Sequence, residues 1–194
     1  NLEIGFKGNP NIGSVVLNQF TKSEAFQAFA DSFEKDDRLF IVSSIFGGTG
    51  AAGFPLLLKN IRHGFVKEKF YAHLQNAVIG AITVQPYFKV KQEDESEIDS
   101  HGFVSKTKAA LHYYFKNVTG NNTINALYYI GDLAENTYEN HQGGTDQRND
   151  AHFIELSSAM AIVDFANTDE TTIRTNQGKA ENPVYKEFGI KENA

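Results

Sequence analysis

The chain has 194 residues, of which 41% are hydrophobic and 22% charged, a composition that is typical of one globular domain and excludes a disordered chain. The absence of cysteine excludes a disulfide scaffold, a zinc-thiolate centre and a cysteine nucleophile, and it favours a cytoplasmic location. The net charge is −6 and the basic residues are scattered, which argues against nucleic acid as a partner.

The apolar runs and the first residues bear on where the protein resides. No apolar run approaches the ~20 residues that span a bilayer, and no basic segment followed by an apolar stretch opens the chain. The sequence therefore predicts neither a membrane span nor a secretory signal. Because the chain begins with Asn1 rather than methionine, we expect a soluble piece of a longer protein.

The pattern of apolar residues predicts helices that alternate with short buried strands. In chain order the predicted elements are a helix at Val15–Phe33, a strand at Leu39–Ile45, a helix from about Ala52 to Ile61, a strand at Ala77–Val84, a helix at Phe103–Phe115, a strand at Ala126–Ile130 and a helix from about Asn149 through Val163. Pro55 is expected in the first turn of its helix, where proline is tolerated.

This alternation predicts an α/β fold, in which right-handed crossovers build a parallel, Rossmann-like sheet flanked by helices. We expect residues 1–165 to form one domain. Residues 166–194 are rich in Thr, Asn, Glu and Lys without clear periodicity, so we expect an irregular tail or the start of a following region.

The stretch Phe46–Gly53 carries the most chemical information, because it leaves a predicted strand and enters a helix. Glycines there allow a sharp turn and present successive backbone N–H groups, and the helix N-terminus adds the positive end of its dipole. Phosphate is the natural ligand of such a loop, and Thr49 can add a hydroxyl donor or hold a metal-bound water. Glycines also mark tight packing of a helix on a sheet, and this alternative stays open.

The glycines from Gly47 to Gly53 also fit the fingerprint of a dinucleotide-binding fold, which makes an NAD(P)-binding oxidoreductase an alternative. That fold places an acidic residue about 20 residues later, at the end of the second strand. The corresponding stretch carries Glu68, Lys69 and aromatic residues on no evident strand end. Tyr87 and Lys91 have a spacing that catalysis could use only if both lay on one helical face.

Four segments in chain order resemble motifs of the tubulin and FtsZ superfamily of nucleotide-dependent filament proteins. Residues 8–13, Gly-Asn-Pro-Asn-Ile-Gly, are similar to the family's Gly-Asn-Pro-Glu-Val-Gly loop, and Phe46–Ala52 is similar to its Gly-Gly-Gly-Thr-Gly-x-Gly signature. Ala81–Tyr87 resembles the strand that ends in Val-Thr-Lys-Pro-Phe, and Asn149-Asp150 matches the Asn-Asp that opens the central helix. The resemblance covers roughly residues 5 to 165, with Phe46 in place of the first signature glycine.

The resemblance implies a nucleotide-binding domain that holds GTP or GDP with Mg²⁺, hydrolyses GTP and self-associates head to tail into filaments. The phosphates are implied to meet the signature and early loops, the sugar to lie beside Pro86, and guanine to be read by Asp150. The implied ligand residues are Gly8, Asn9, Gly13, Gly47, Gly48, Thr49, Gly50, Ala51, Pro86, Asn149 and Asp150. The family's first strand and first phosphate loop would lie upstream of Asn1.

Catalysis is implied to occur between subunits, through carboxylates after the central helix that act on water at the neighbour's terminal phosphate. Asp164 is the candidate for this role, and a helix-end carboxylate without catalytic function is the alternative. His152 and Glu155 lack a second pair that would complete a metal site, so we predict none and expect a hydrogen-bonded His152 near the helix N-terminus. A further alternative is a structural domain that has kept the fold and lost the nucleotide.

Overall fold

The structure is a computed structural model and describes residues 5–6, 8–91, 101–141 and 149–188. The helices are α1 (Pro10–Leu17), α2 (Glu24–Ser32), α3 (Gly48–His63), α4 (Ala72–Gln75), α5 (His101–Tyr114) and α6 (Phe153–Ala166), with a 3₁₀ turn at Phe20–Lys22 and a π-helical turn at Phe115–Thr119. The strands of the main sheet are β1 (Arg38–Ser44), β2 (Val78–Val84), β3 (Ala126–Ile130) and β4 (Val184–Phe188). Two-stranded pairs join Phe65–Val66 to Lys69–Phe70, Lys89–Val90 to Thr137–Tyr138, and Thr175–Asn176 to Lys179–Ala180.

The main sheet is parallel and its strands lie in chain order, β1-β2-β3-β4. Ile41 is aligned with Ala81 across β1 and β2, and Ala81 with Leu127 across β2 and β3. The α/β class, the parallel sheet and the three predicted strands are thus confirmed. β2 and β3 are apolar runs because helices cover both of their faces, whereas β1 lies at the edge of the sheet and its Val42 is 55% exposed.

Residues 166–188, the part of the predicted irregular tail that the structure describes, contain regular structure. Residues 175–180 form a hairpin whose turn residues, Gln177 and Gly178, both have positive φ, as a tight two-residue turn requires. Val184–Phe188 then adds β4 to the edge of the sheet beside β3. Edge strands need only one partner and tolerate polar side chains, so this strand has no apolar run to reveal it.

Two layers of helices enclose the sheet. On one face, residues of α3 and α5 such as Leu58 and Tyr114 pack on Ile79 and Leu127. On the other face, Phe165 of α6 belongs to a second cluster of buried side chains. Each of the three connections carries the chain one strand further in the same direction across the sheet. A connection whose helix lies on the opposite face from the others therefore has the opposite handedness. The prediction of right-handed crossovers is therefore wrong for at least one of the three connections.

The predicted helix at Val15–Phe33 is divided into α1, the 3₁₀ turn and α2. Asn9 caps α1 by accepting hydrogen bonds from the N–H groups of Asn11 and Ile12, at 3.1 and 3.3 Å. Ser23 is the N-cap of α2, because its hydroxyl accepts a hydrogen bond from Phe26 N at 3.1 Å. Caps of this kind satisfy the free N–H groups of a new helix start and override the continuous apolar spacing.

Pro55 lies in the third turn of α3 rather than in the first, because α3 begins at Gly48. Proline has no N–H to donate to Ala51, four residues earlier. The hydroxyl of Tyr114, on α5, donates to this carbonyl at 3.3 Å and replaces the missing bond. Burial raises the pKa of Tyr114 well above its ordinary value, so the hydroxyl keeps its proton and remains a donor.

Arg62, near the end of α3, joins three segments of the chain. It is 7% exposed and donates to the carbonyls of Thr123, Gln75 and Ala77 at 2.6, 3.0 and 2.7 Å, and to Asn125 Oδ1 at 2.9 Å. Burial lowers the pKa of Arg62 to about 9, so the group remains charged at neutral pH. Among the residues that the structure describes, no carboxylate pairs with this guanidinium.

The outer face of α6 is apolar. Phe153, Leu156, Met160 and Val163 recur at helical spacing and are between 42% and 66% exposed. Within the described ranges, no helix combines the length and the hydropathy that crossing a bilayer requires.

Candidate functional site

The glycine loop occupies the carboxyl end of β1, as predicted. β1 ends at Ser44, and α3 begins at Gly48 with Gly47 as its N-cap in an extended conformation, φ −90° and ψ 164°. Gly47 has no side chain, so its position supplies no side-chain acceptor for the N–H groups of the first turn. An anion at this end of α3 would meet both these donors and the positive end of the helix dipole.

Close packing of the chain also requires two of these glycines. A Cβ on Gly50 would stand 2.3 Å from the carbonyl oxygen of Ser44, and one on Gly48 would stand 2.7 Å from Asn9 N. Both distances are far below van der Waals contact. The alternative interpretation of the cluster, tight packing of a helix on a sheet, is therefore correct for Gly50, whereas Gly48 is required by the close approach of the early loop at Asn9.

The structure brings the two predicted loops together. Gly13 is buried, and a Cβ there would lie 3.0 Å from the carbonyl oxygen of Gly48 and 3.1 Å from Ala52 Cβ. Gly8 has φ +71°, which glycine adopts without strain. Together with the contact of Asn9 on Gly48, these distances put the early loop against the first turn of α3. The same contact covers part of that turn, so the exposed anion-binding surface is narrower than the sequence suggests.

Two side chains complete this end of the molecule. Thr49 is exposed, and its Oγ1 lies 3.0 Å from the Cβ position of Gly5. Lys106, on α5, places Nζ 3.0 Å from the Cβ position of Gly8. The sequence did not single out Lys106, because only the packing of α5 brings it beside the loop and no spacing in the chain signals this approach.

Aromatic rings line the carboxyl edge of the sheet between the glycine loop and α6. Phe46 is 8% exposed, and its ring lies 5.7 Å from Phe88 and 4.9 Å from Phe103, centroid to centroid. Tyr87 follows at 5.0 Å from Phe88 and contacts the His152 ring at 4.9 Å. Phe46, which stands where the family has glycine, is therefore a core residue of this edge.

Asn149 and Asp150 precede the central helix, because α6 begins at Phe153 and not near Asn149. The side chain of Asn149 hydrogen-bonds to Tyr87, the residue after Pro86. Burial, together with the charge of Glu155, raises the pKa of Tyr87 above its ordinary value. Asn149 and Pro86 are thus neighbours at this edge, whereas Asp150 is exposed.

His152 is the N-cap of α6 and is hydrogen-bonded near the helix N-terminus, as predicted. Its Nδ1 accepts from Ile154 N at 3.3 Å, and its Nε2 lies 3.1 Å from Asp132 Oδ2, just beyond β3. Both side chains are 14% exposed. Asp132 therefore anchors the start of α6 to the sheet, a role that the sequence did not assign to it.

Asp164 lies at the opposite edge of the sheet. It follows the first residue of α6 by eleven positions, about 16 Å along the helix axis. Its carboxylate accepts from Lys186 Nζ at 2.5 Å and from the Tyr128 hydroxyl at 2.6 Å. The hydrogen bond from Lys186 is the main cause that lowers the pKa of Asp164, and the hydrogen bond from Tyr128 lowers it further. The described geometry gives this carboxylate structural partners and separates it from the glycine loops of its own chain.

No group of three or more His, Asp or Glu side chains converges on a metal position in the described part of the chain. Comparisons with protein-family models, with curated proteins and with solved structures find no match to this chain. The resemblance to tubulin and FtsZ therefore stays a prediction that rests on the sequence motifs.

Proposed function

We propose that this protein binds a guanine nucleotide, GTP or GDP, at the carboxyl edge of its sheet and belongs with the tubulin and FtsZ type of filament protein. The observation that carries the proposal is the start of α3. There a helix with a glycine N-cap leaves the carboxyl end of a parallel strand, next to a second glycine loop and Lys106. Ligands of open α/β sheets bind outside the carboxyl ends of the strands, and helix N-termini favour phosphate.

The proposed pose runs along the carboxyl edge of the sheet. The N–H groups from Gly47 to Gly50 hold the phosphates, and Lys106 adds a positive charge beside the early loop. Ala51, which the resemblance also implies as a ligand, donates its N–H to the Gly47 carbonyl at 3.3 Å within α3. The base lies towards Asn149 and Asp150, with Pro86 beside the sugar. The contact between Asn149 and Tyr87 supports this arrangement, since it joins the strand exit to the segment before α6.

Magnesium belongs to this proposal as a partner of the triphosphate, because protein sites commonly bind Mg²⁺ through one or two side chains together with substrate phosphates. Hydrolysis would be completed by the neighbouring subunit in a head-to-tail assembly. The position of Asp164, at the end of the molecule opposite the glycine loops, is compatible with that role. Its bonds to Lys186 and Tyr128 would have to loosen for it to act on water.

Replacing Gly47 by aspartate should weaken nucleotide binding without weakening folding. Aspartate is a better N-cap than glycine, so we expect stability to be unchanged or raised by roughly 0.3 kcal/mol. Its carboxylate would face the phosphates, and like-charge contact costs several kcal/mol, so GDP affinity should fall about 100-fold or more. Titration calorimetry with GDP and urea unfolding measure the two effects.

Gly47→Asn is the matched control for this variant, because it is similar in shape and capping strength but uncharged. We expect Gly47→Asn to retain most of the GDP affinity. Equal affinity of the aspartate and asparagine variants would contradict a phosphate on α3. Binding of NADH or NADPH without any response to GDP would instead favour the dinucleotide-binding alternative.

Self-association is expected to depend on the nucleotide. The apolar outer face of α6 supports an association surface, since exposed apolar patches mark interaction sites. We expect light scattering of the unmodified chain to rise with GTP and Mg²⁺ and to stay flat with GDP or with EDTA. Gly47→Asp should remove the rise. An equal rise in scattering for that variant would contradict the link between assembly and this loop. No rise under any condition would favour a structural domain that has lost its nucleotide.

A further inference from the structure

A cleft of about 690 Å³ lies between α3 and α5, on the side of the sheet that these helices cover. Its α3 wall extends from Ala51 to Arg62, and its α5 side continues from Lys106 to Asn117, just beyond the end of that helix. Each span covers eleven positions, about 16 Å of helix. The volume is within the range of small-molecule sites, about 300–1,000 Å³, and the shape is elongated.

Apolar groups dominate the middle of the cleft. Leu56 and Tyr113 form its walls, and Ile45, Leu58 and Tyr114 contribute buried surface beneath them. Tyr114 is held by its contacts with Phe54 and with the Ala51 carbonyl, so this floor is rigid. A flexible, narrow apolar chain fits such a space, and burying it would be favourable by about 25 cal/mol per Å² of apolar surface.

The charges around the cleft have one sign. Lys59, Arg62 and Lys106 line it, and none of the described lining residues is an aspartate or glutamate, although the chain as a whole carries −6. Arg62 is buried, and its hydrogen-bond acceptors are neutral carbonyl and amide oxygens. A buried cation whose partners are all neutral is costly, and an anion beside it would reduce that cost.

We propose that this cleft binds a single-chain amphipathic anion of the long-chain carboxylate type. The carboxylate lies at the end formed by Lys59 and Arg62, which are one helical turn apart, and the chain extends along α3 past Leu56. The pairing of an elongated apolar space with positive charge at this end distinguishes such a ligand from a neutral lipid. Gly47, Ala51 and Lys106 line one end of the cleft and adjoin the proposed phosphate site, whereas Lys59 and Arg62 lie towards the other end of α3. The carboxylate is placed at that other end, so this inference does not rest on the proposed function.

Calorimetry with monomeric dodecanoate and with dodecanol tests the proposal. We expect one dodecanoate to bind per chain, with an affinity about tenfold or more above that of dodecanol, because a charge-assisted hydrogen bond is worth about 1.5–3 kcal/mol. Lys59→Gln should narrow this difference. Equal affinities for the two ligands, or association only with vesicles of anionic phospholipid, would overturn the proposal.

A cleft-filling variant locates the site. Ala109 is exposed on the α5 wall, so Ala109→Trp should block the cleft without disturbing the core and should abolish dodecanoate binding. Ala28→Trp, the same change at an exposed position of α2, should leave binding intact. Undiminished binding to Ala109→Trp would contradict the assignment. GDP titration of the unmodified chain keeps the two proposals distinct, because a chain that binds dodecanoate and no GDP would lose only the proposed function.

Discussion

Gly50→Ala is expected to destabilise the protein by about 3 kcal/mol or more, or to prevent its accumulation in folded form. The new methyl group would stand 2.3 Å from the carbonyl oxygen of Ser44 and 2.9 Å from its nitrogen. Both are backbone atoms at the end of β1, so neither can move without displacing the strand or α3. Urea unfolding followed by circular dichroism measures the loss.

Gly53→Ala is the control within the same glycine string. Its methyl group would meet only Leu17 Cδ1, at 3.3 Å, and a leucine methyl can give way. Replacing glycine by alanine inside a helix gains about 0.5–1 kcal/mol, so we expect this variant to be as stable as the parent or slightly more stable. Similar losses for both variants would show that the close approach of α3 to β1 is not what fixes Gly50.

Arg62→Met is expected to cost about 3–5 kcal/mol of unfolding free energy. Methionine keeps much of the apolar volume of arginine but donates no hydrogen bonds. The carbonyls of Thr123, Gln75 and Ala77 and the amide oxygen of Asn125 would lose their shared donor, and a lost hydrogen bond to a charged group is expensive. Asn125 Oδ1 would keep its bond from Ile79 N, and the Ala77 carbonyl its bond from the Thr175 hydroxyl. Chemical unfolding of both proteins under identical conditions gives the difference.

Lys59→Met provides the comparison, since Lys59 lies one turn earlier on α3 and is exposed. We expect its effect to stay within about 0.5 kcal/mol, as for most surface substitutions. A loss of less than about 1 kcal/mol for Arg62→Met would mean that the three segments are held together mainly by apolar packing rather than by the guanidinium.

The core of the fold follows from local sequence, and its periphery does not. β2 and β3 are apolar runs because both of their faces are covered, and β1 is an apolar run although its Val42 is exposed, so the apolar pattern reveals all three. β4 is formed by Val184–Phe188, in which the adjacent charged residues Lys186 and Glu187 interrupt the apolar run, so it acquires strand structure only by pairing with β3. Pro55 was misplaced because the Tyr114 hydroxyl, a group from a distant helix, compensates for the missing N–H.

The candidate site, too, could be predicted from the sequence only in part. The junction of β1 and α3 was predictable, because glycines after a buried strand predict a helix entry. The approach of Asn9 to Gly48, the position of Lys106 and the anchoring of His152 by Asp132 depend on how α1, α5 and α6 pack. Tertiary packing of this kind has no signature in the spacing of residues along the chain.

Amide chemical shifts of the isotope-labelled chain, followed during titration with GDP and Mg²⁺, test the proposed nucleotide site most directly. Backbone N–H groups that bind phosphate should show the largest changes, so we expect these at Gly48, Thr49 and Gly50, with a second group at Asn149 and Asp150. Gly47→Asp should suppress both groups. Saturating GDP that leaves the first turn of α3 unshifted, or that shifts only residues of the cleft between α3 and α5, would contradict a guanine nucleotide at the carboxyl edge of the sheet.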